Sequence, residues 1–247
     1  MVKKKRTVSV AMAVYNGETY LKEQIDSIMS QLKVNDELVV SLDPSKDASE
    51  EIIKSYMNSD SRVKLYYGKG KGAISNFENA IRHCRNSIIF LADQDDVWQP
   101  DKVRRVLAEF ENPKAMVVLH NAQVVDEDLN ILENSFFSIK NSRKGILRNI
   151  IKNSYMGCCM AFRRKCLKNI LPFPPILPMH DQWIGLCCEW MGEAVFMEDT
   201  LLLYRRHGNN VSEMQHASVA QMLKWRIYIV YAFLSRNIFK IRKENRR

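Results

Sequence analysis

The feature that most constrains this chain is an apolar run that ends abruptly in a cluster of acidic residues. Residues Ile88 to Ala92 are continuously apolar, and Asp93, Asp95 and Asp96 follow within four positions. Such a run suits a strand buried on both faces, as in the centre of a parallel sheet. Carboxylates beside a core repel one another and are costly unless a positive charge neutralises them. The stretch therefore predicts a divalent cation site at the carboxyl end of a central strand, where ligands bind in open α/β sheets.

Two of the acidic positions also have a purely structural interpretation. Asp95 or Asp96 could cap the helix that begins near Pro100, because Asp is a favoured N-cap residue. Asp181 precedes an apolar helical pattern that runs to Trp190. Its carboxylate is either an ordinary cap or a reactive base held at a helix N-terminus. The sequence leaves both alternatives open.

Strand and helix patterns alternate along most of the chain. Strands are predicted at 7–15, 37–42, 63–67, 88–92, 115–119, 157–162 and 194–204, a hairpin at 124–132, and helices at 18–32, 47–56, 73–85, 100–110 and 181–190. This alternation is typical of an α/β fold with a Rossmann-like, doubly wound, mostly parallel sheet. The polar and aromatic segment Asn134 to Ser142 shows no period and is predicted to be a mobile loop.

Charge and cysteine content narrow the partners and the compartment. The net charge is +9, from 37 Lys and Arg against 28 Asp and Glu, which favours anionic partners. The six cysteines form no C-x-x-C pair and lie at no zinc-finger spacing, so we expect reduced thiols in a cytosolic protein. The long helical pattern from Val219 to Ile241 is aromatic and basic. It either packs on the domain or lies at a membrane interface.

Several motifs taken together resemble inverting family-two glycosyltransferases of the GT-A fold, in particular the bacterial rhamnosyltransferase-like branch. They occur in the expected order between Thr7 and Val211. The motifs are Val8-Ser9-Val10-Ala11-Met12-Ala13-Val14-Tyr15-Asn16-Gly17, Gln24-Ile25-Asp26-Ser27-Ile28, Ala92-Asp93-Gln94-Asp95-Asp96-Val97-Trp98, His180-Asp181-Gln182-Trp183 and Leu203-Tyr204-Arg205-Arg206-His207-Gly208-Asn209-Asn210-Val211. The resemblance implies a GT-A domain over 1–212 and a C-terminal helical extension over 213–247.

The resemblance also assigns roles to individual residues. Asp93 would lie near the donor ribose and also at the metal, and Asp95 would bind a Mn²⁺ or Mg²⁺ that bridges the nucleotide diphosphate, with His207 as a further contact to the metal. Asp96 would hold these groups in place. The pyrimidine base would be bound by Asp43, Ala13 and Tyr15, and Asp181 would be the catalytic base. The vicinity of the donor and acceptor would contain Trp98, Gly157, Cys158, His180 and Trp183.

The implied activity is transfer of a single sugar, with inversion, from a UDP-sugar or dTDP-sugar such as dTDP-rhamnose. The acceptor would be a glycan or a lipid-linked saccharide in the synthesis of a bacterial capsule, O-antigen or wall glycan. The enzyme would work in the cytoplasm, peripherally at the inner face of the membrane, and no nucleic acid is expected as a partner.

Two departures from the family pattern bear on these expectations. The turn after the second strand has Leu42 and Pro44 where the family usually has an acid and a glycine, which affects the geometry of the base pocket. Gln221-Met222-Leu223-Lys224-Trp225 resembles the Q-x-x-R-W motif of processive synthases, but Lys replaces the Arg. We therefore expect single-sugar addition. A metal-dependent nucleotidyltransferase and a non-catalytic basic binding module remain as alternatives.

Overall fold

The computed structural model describes residues 6–208 and 218–244, and a nine-stranded sheet organises them. The strands are β1 Val8–Val14, β2 Glu37–Leu42, β3 Val63–Tyr67, β4 Ile88–Ala92, β5 Val97–Trp98, β6 Ala115–Val125, β7 Ile131–Glu133, β8 Met160–Arg163 and β9 Glu193–Arg205. The helices are α1 Glu18–Met29, α2 Ser49–Ser59, α3 Ala73–His83, α4 Lys102–Glu109, α5 Phe136–Lys140, α6 Ile146–Ile151, α7 Leu167–Ile170, α8 His180–Met191 and α9 Val219–Glu244.

The sheet is mostly parallel and has the order β3-β2-β1-β4-β8-β6-β9-β5, with β7 paired to β6. Strands β1 to β4 pair in parallel, and β6 pairs in parallel with β9. Strand β8 lies antiparallel between β4 and β6. The predicted α/β class is therefore confirmed. The acidic turn follows a fully buried strand, as expected, but that strand has a parallel neighbour on one side only.

Alternation along β1 explains how the core divides between the two faces of the sheet. Val10 and Met12 point to the face covered by α1, whereas Ala11 points to the face covered by α3. Helix α1 contributes Leu21, Ile25 and Ile28 at helical spacing, and all three are fully buried. Burying one such side chain contributes about 1.5–3 kcal/mol.

Two predicted segments differ from the structure. Residues Gly157–Cys159 form a 3-10 turn, and the strand predicted at 157–162 begins only at Met160. The segment Asn134 to Ser142 contains α5 rather than an irregular loop. Phe137 is buried in the core there, and its backbone N–H donates to Asn121 Oδ1 at 3.0 Å, so one aromatic anchor folds the segment onto the sheet.

The C-terminal helix packs on the domain over its described side chains. Ile229 and Phe233 are buried, and the Arg236 guanidinium donates to the carbonyls of Asn169, Leu171 and Pro172. Arg236 is thus an anchor of α9 and not part of a solvated basic tail. Within the two described ranges, no helix is long and apolar enough to cross a membrane. The predicted domain boundary at 212/213 lies outside the described residues.

Candidate active site

The carboxyl ends of four parallel strands bring the predicted nucleotide and metal residues to one edge of the sheet. Leu42 of β2 lies in register with both Val14 of β1 and Tyr67 of β3, and Ala92 of β4 lies opposite Met12 of β1. The residues that follow these strands therefore line a continuous edge. Along it lie Gly68, Asp43, Tyr15 and Asp93.

Asp43 is buried at this edge and held by the glycine-rich segment after β3. Its Oδ1 accepts the Gly70 backbone N–H at 3.0 Å. A Cβ on Gly68 would lie 2.1 Å from the same oxygen, so only glycine allows this approach. A cavity of about 410 Å³ opens beside Asp43, between Pro44 and Tyr67. This volume falls in the usual range of small-ligand sites, about 300–1,000 Å³. The acidic wall suits N–H donors such as those of a nucleobase.

The acidic turn after β4 is fastened to the end of β1 by a side chain. Gln94 Oε1 accepts the Tyr15 backbone N–H at 2.8 Å, and Gln94 Nε2 donates to the Tyr15 carbonyl at 3.0 Å. Gly17 leaves room for this amide, since a Cβ there would lie 2.6 Å from Oε1. Ala13 is half-buried and the Tyr15 side chain is exposed. The backbone that would carry the nucleotide is thus fixed relative to Asp93 and Asp95.

Helix α1 holds the same turn from beneath through buried polar side chains. Gln24 Nε2 donates to the Asp93 carbonyl at 2.8 Å, and Ser27 Oγ accepts the Trp98 backbone N–H at 3.0 Å. The resemblance included this segment, but the residue-by-residue reasoning gave it no role. The available signal was a glutamine and a serine beside Ile25 and Ile28 on the apolar face of a helix, because buried polar groups require partners.

Arg205, at the end of β9, is a site residue for which the sequence reasoning gave no role. Its Nε donates to the Asp95 carbonyl at 2.9 Å, and its backbone N–H donates to Asp96 Oδ1 at 3.1 Å. The guanidinium also pairs with Glu23 and lies over the Tyr20 ring, 4.4 Å from its centroid. Arg205 is nearly fully buried. A fixed positive charge therefore shapes the acidic turn from below.

The three carboxylates occupy different environments. Asp95 Oδ2 accepts a hydrogen bond from His207 Nε2 at 2.8 Å, so two of the three residues expected at a metal are adjacent. Asp96 is fully buried, and its Oδ2 has no hydrogen-bond partner. Burial, together with the charges of Asp95 and Asp181, raises the pKa of Asp93 to about 7. Burial and the charges of Asp95 and Asp93 raise the pKa of Asp96 well above its usual value.

These residues fit a hard divalent cation. The cluster has excess negative charge and a buried carboxylate oxygen without a partner, and carboxylates with one imidazole suit Mn²⁺ or Mg²⁺. Ligand atoms of Asp93, Asp96 and Cys158 lie within 4.8 Å of one another. Hydrogen bonding with Cys159 and burial hold the pKa of the Cys158 thiol well above its usual range. The protonated thiol is a poor ligand, so Asp93, Asp95 and His207 remain our predicted set.

Behind the turn, Lys102 and Trp98 form a buried layer. Lys102 Nζ donates to the Cys158 carbonyl at 2.9 Å and lies 4.0 Å from the Trp98 ring centroid. Burial lowers the pKa of Lys102 to about 8, against the nearby thiols and carboxylates, which raise it. Trp98 and Cys158 therefore support the site through packing and backbone contacts, and the 3-10 turn carrying Gly157 is tied to α4.

Asp181 lies in the first turn of α8, where the N-cap position belongs to Met179. Its Oδ1 accepts the Gln182 backbone N–H at 2.6 Å and the Asn153 side-chain amide at 3.4 Å. Burial raises the pKa of Asp181 to about 6, although hydrogen bonds from Gln182, Asn153 and Gly157 lower it. Asp181 is therefore not the N-cap residue, although its carboxylate accepts a backbone N–H of the first turn. A buried carboxylate with a raised pKa beside other acids is suited to proton abstraction.

His180 adjoins Gly157 together with Asp181, because a Cβ on Gly157 would lie 3.1 Å from His180 Nε2 and 3.8 Å from Asp181 Cβ. The His180 ring stacks on Phe77 with centroids 4.2 Å apart, and its buried Nε2 has no hydrogen-bond partner. Burial lowers the pKa of His180 to about 4, so the ring is neutral. Trp183, predicted near the donor or acceptor, is fully buried in the core, and its N–H donates to the Ile170 carbonyl at 2.9 Å. That prediction is wrong because the helical period turns Trp183 away from the site.

The fold is that of an α/β protein of the GT-A type, and comparison with known proteins identifies the family. The model of the family "Glycosyl transferase family 2" matches residues 9–171. An uncharacterised glycosyltransferase of Methanocaldococcus jannaschii is 36% identical over 210 residues, which cover 81% of this chain and 71% of that protein. The chain belongs to glycosyl transferase family 2.

Further relatives and solved structures agree with this assignment. The Escherichia coli protein WfgD, a UDP-Glc:α-D-GlcNAc-diphosphoundecaprenol β-1,3-glucosyltransferase, is 26% identical over 168 residues, covering 68% of this chain and 64% of WfgD. Residues 1–349 of S. aureus TarS in complex with UDP-GlcNAc superpose with a TM-score of 0.71 at 19% identity, covering 93% of this chain and 67% of that one. A Pyrobaculum calidifontis mannosyltransferase with GDP-Man and Mn²⁺ gives 0.62 at 17% identity, covering 97% and 65%.

The chain spans about two thirds of the length of two of the curated relatives it matches. A Nostoc glycosyltransferase is 23% identical over 211 residues, which cover 82% of this chain but 66% of its own length. The solved structures share the GT-A fold with this chain at identities below 20%. The rhamnosyltransferase-like branch stays a prediction.

Proposed function

We propose that this chain transfers a single sugar, with inversion, from a nucleotide-diphosphate donor to a hydroxyl of a glycan or a lipid-linked saccharide during synthesis of a bacterial cell-surface polysaccharide. The observation that supports it best is the placement of Asp181. Asp181 lies against Gly157, and the thiol of the next residue, Cys158, is within 4.8 Å of ligand atoms of Asp93 and Asp96, so a buried carboxylate adjoins the acidic turn that follows β4. WfgD, whose name specifies UDP-Glc as donor, and TarS, whose structure contains UDP-GlcNAc, support this donor class.

In the donor site, Asp43 accepts a hydrogen bond from an N–H of the nucleotide base, and Ala13 and Tyr15 line the base pocket. The Gly70 N–H already fixes one oxygen of Asp43, which orients the carboxylate toward the cavity. UDP and dTDP are the preferred nucleotides. Guanine also offers N–H donors, so GDP belongs in any binding test.

Asp93, Asp95 and His207 would hold the divalent cation, and Arg205 and Asp96 would keep Asp95 in position. When bound, the cation stabilises the negative charge that develops on the departing diphosphate. The distance of 2.8 Å between His207 Nε2 and Asp95 Oδ2 supports this set.

The chemical step needs a base because a sugar hydroxyl is a weak nucleophile. Asp181 would remove the hydroxyl proton as the oxygen attacks the anomeric carbon, and such help is typically worth ~10²- to 10⁴-fold. The bond to the diphosphate oxygen breaks in the same displacement, which inverts the anomeric centre. The proposal needs no second carboxylate as a nucleophile. Asn153 and the Gln182 N–H hold the Asp181 carboxylate in place.

The family assignment does not support a nucleotidyltransferase or a nucleic-acid-binding module. We propose single addition rather than processive synthesis because Lys224 stands where processive enzymes have Arg. We also propose that the enzyme acts in the cytoplasm at the inner face of the membrane, where lipid-linked acceptors are found.

Calorimetric titration with UDP, dTDP and GDP tests the donor site. We expect one of the three to bind with Mn²⁺, and binding to be lost with EDTA and in Asp95→Asn. The matched control is Asp101→Asn, an exposed acid near the same turn that pairs with Arg104. Absence of binding by all three nucleotides, or binding indifferent to both EDTA and Asp95→Asn, would contradict the proposal.

A further inference from the structure

Helices α6 and α9 expose large apolar side chains on one surface, here called the α6–α9 face. Its members and their exposed fractions are Leu147 78%, Ile151 64%, Leu223 55%, Ile227 60% and Tyr231 73%. Single exposed apolar residues are ordinary, but several on adjoining helices indicate an interaction surface.

The two helices of this face are joined directly. The Arg226 guanidinium of α9 donates two hydrogen bonds to the Ile151 carbonyl at the end of α6, at 3.0 and 2.8 Å. Leu147 and Ile151 are four residues apart, as are Leu223 and Ile227, so each pair lies on one side of its helix. The opposite side of α9 buries Ile229 and Phe233 in the core. The exposed apolar residues of α9 are therefore not the ones that pack this helix against the core.

The surroundings of the face are strongly basic. Residues 134–180 contain nine Lys and Arg and no Asp or Glu, and residues 218–243 contain no acid either. Lys144, Lys152 and Lys224 are exposed beside the apolar residues. The carboxylate of Glu189, which lies close to α6, accepts hydrogen bonds from the Gly145 N–H and the Tyr155 hydroxyl.

We propose that the α6–α9 face docks on an anionic membrane surface. Apolar side chains of an interfacial helix enter the boundary between headgroups and acyl chains, while Lys and Arg contact anionic headgroups. Charge distinguishes this occupant from a second copy of the chain, because two such faces would bring Lys144, Lys152 and Lys224 against like charges. An anionic lipid surface offers acyl chains to the apolar side chains of the face and negative charge to its lysines.

The position of the face agrees with a membrane-anchored acceptor, a point that rests on the proposed function. Asn153, two residues after Ile151, donates to Asp181 Oδ1 and to Met179 Sδ at 3.4 and 3.6 Å. Gln182 Nε2 donates to the carbonyl of Asn149 in α6 at 2.7 Å. The docking surface therefore adjoins the candidate base, so the headgroup sugar of a lipid-linked acceptor would reach Asp181 from the bilayer.

Co-sedimentation of the full chain with vesicles tests this surface. We expect binding to vesicles of phosphatidylcholine with phosphatidylglycerol, little binding to phosphatidylcholine alone, and loss at high salt. Because each cation near an anionic surface contributes ~1 kcal/mol, Lys144→Gln with Lys152→Gln should weaken binding about 30-fold. Leu147→Ser with Ile227→Ser should weaken it about tenfold or more.

The apolar control is Ile131→Ser with Leu132→Ser on β7, where the side chains are 53% and 55% exposed beside acidic residues. The charge control is Lys22→Gln with Lys64→Gln, on α1 and β3. Both controls should bind vesicles as the unaltered chain does.

Three results would overturn the docking proposal: face variants that bind like the unaltered chain, equal binding to neutral vesicles, or a change in sedimentation coefficient that reveals a dimer formed through this face. Metal-dependent nucleotide binding should be unchanged in the face variants. Its absence from the unaltered chain would instead refute the donor site and leave the docking result standing.

Discussion

Replacing the candidate base by its amide should remove activity and stabilise the fold at the same time. Burial raises the pKa of Asp181 from 3.8 to about 6, so the folded protein binds this proton more tightly than the unfolded chain does. Stability therefore falls as the pH rises from about 4 to about 6, and the loss is complete above that range. Two pKa units correspond to about 3 kcal/mol. Asp181→Asn avoids this loss and keeps an oxygen for the Gln182 N–H.

We expect Asp181→Asn to raise the free energy of unfolding at pH 7.5 by about 1–3 kcal/mol, or the melting temperature by roughly 2–12 °C. The gain should vanish near pH 3.5, where the Asp181 carboxyl is protonated in both states. Nucleotide binding should persist, whereas sugar transfer should fall by ~10²- to 10⁴-fold. Urea unfolding at several pH values, with a transfer assay in parallel, measures both effects.

The matched control is Asp36→Asn. Asp36 has the same 7% exposed fraction, but its two oxygens accept the backbone N–H groups of Val8 and Lys33, both at 2.8 Å. An amide offers one oxygen only, so this variant should lose about 1–2 kcal/mol. Destabilisation by Asp181→Asn similar to that of Asp36→Asn, or retention of full transfer, would refute the assignment of Asp181 as base.

Three further predictions concern the metal, the base pocket and the acidic turn. Mn²⁺ should raise the melting temperature more at pH 7.5 than at pH 5, because a pKa of about 7 makes protons compete for Asp93; equal shifts in calorimetric scans would contradict a site at this residue. Gly68→Ala should weaken nucleotide binding at least tenfold, because the new Cβ would lie 2.1 Å from Asp43 Oδ1. The control Gly208→Ala should fold normally, because its Cβ would have no atom within 4 Å. Arg205→Lys should lower the free energy of unfolding by about 2–4 kcal/mol in urea titrations. Glu23→Gln, which changes the half-exposed partner of Arg205, should lower it by less than about 1 kcal/mol. Equal losses would show that Arg205 stabilises the protein through its ion pair with Glu23 and not through its hydrogen bond to the Asp95 carbonyl.

The arrangement of the sheet edge could be predicted because it follows from strand direction. Once β1 to β4 are read as parallel, the residues after each strand must meet at one edge, and Asp43 and Asp93 do. The run Ile88 to Ala92 specified burial on both faces, and all five residues are buried. The antiparallel direction of β8 could not be predicted, because its four residues carry no signal of direction.

The residues that hold the acidic turn in place were much harder to predict than the acidic residues themselves. Gln24 and Arg205 donate hydrogen bonds to backbone carbonyls of the acidic turn. Every residue has a backbone carbonyl, so the sequence does not indicate which carbonyl a side chain binds. Trp183 was misplaced because adjacency to Asp181 in sequence does not mean adjacency in space on a helix, where consecutive side chains are rotated by about 100°. The start of β8 was misplaced because Gly157 to Phe162 is uniformly small or apolar, which suits a turn as well as a strand.

The measurement that tests the central claim most directly is the anomeric configuration of the first product. The unaltered chain with Mn²⁺ is incubated with a donor whose nucleotide it binds, with water in place of the acceptor, and the released sugar is followed by proton NMR before it equilibrates. A single displacement assisted by Asp181 predicts that the first-formed sugar has the configuration opposite to that of the donor, and that its release slows at least a hundredfold in Asp181→Asn. First-formed sugar with the configuration of the donor would contradict the account.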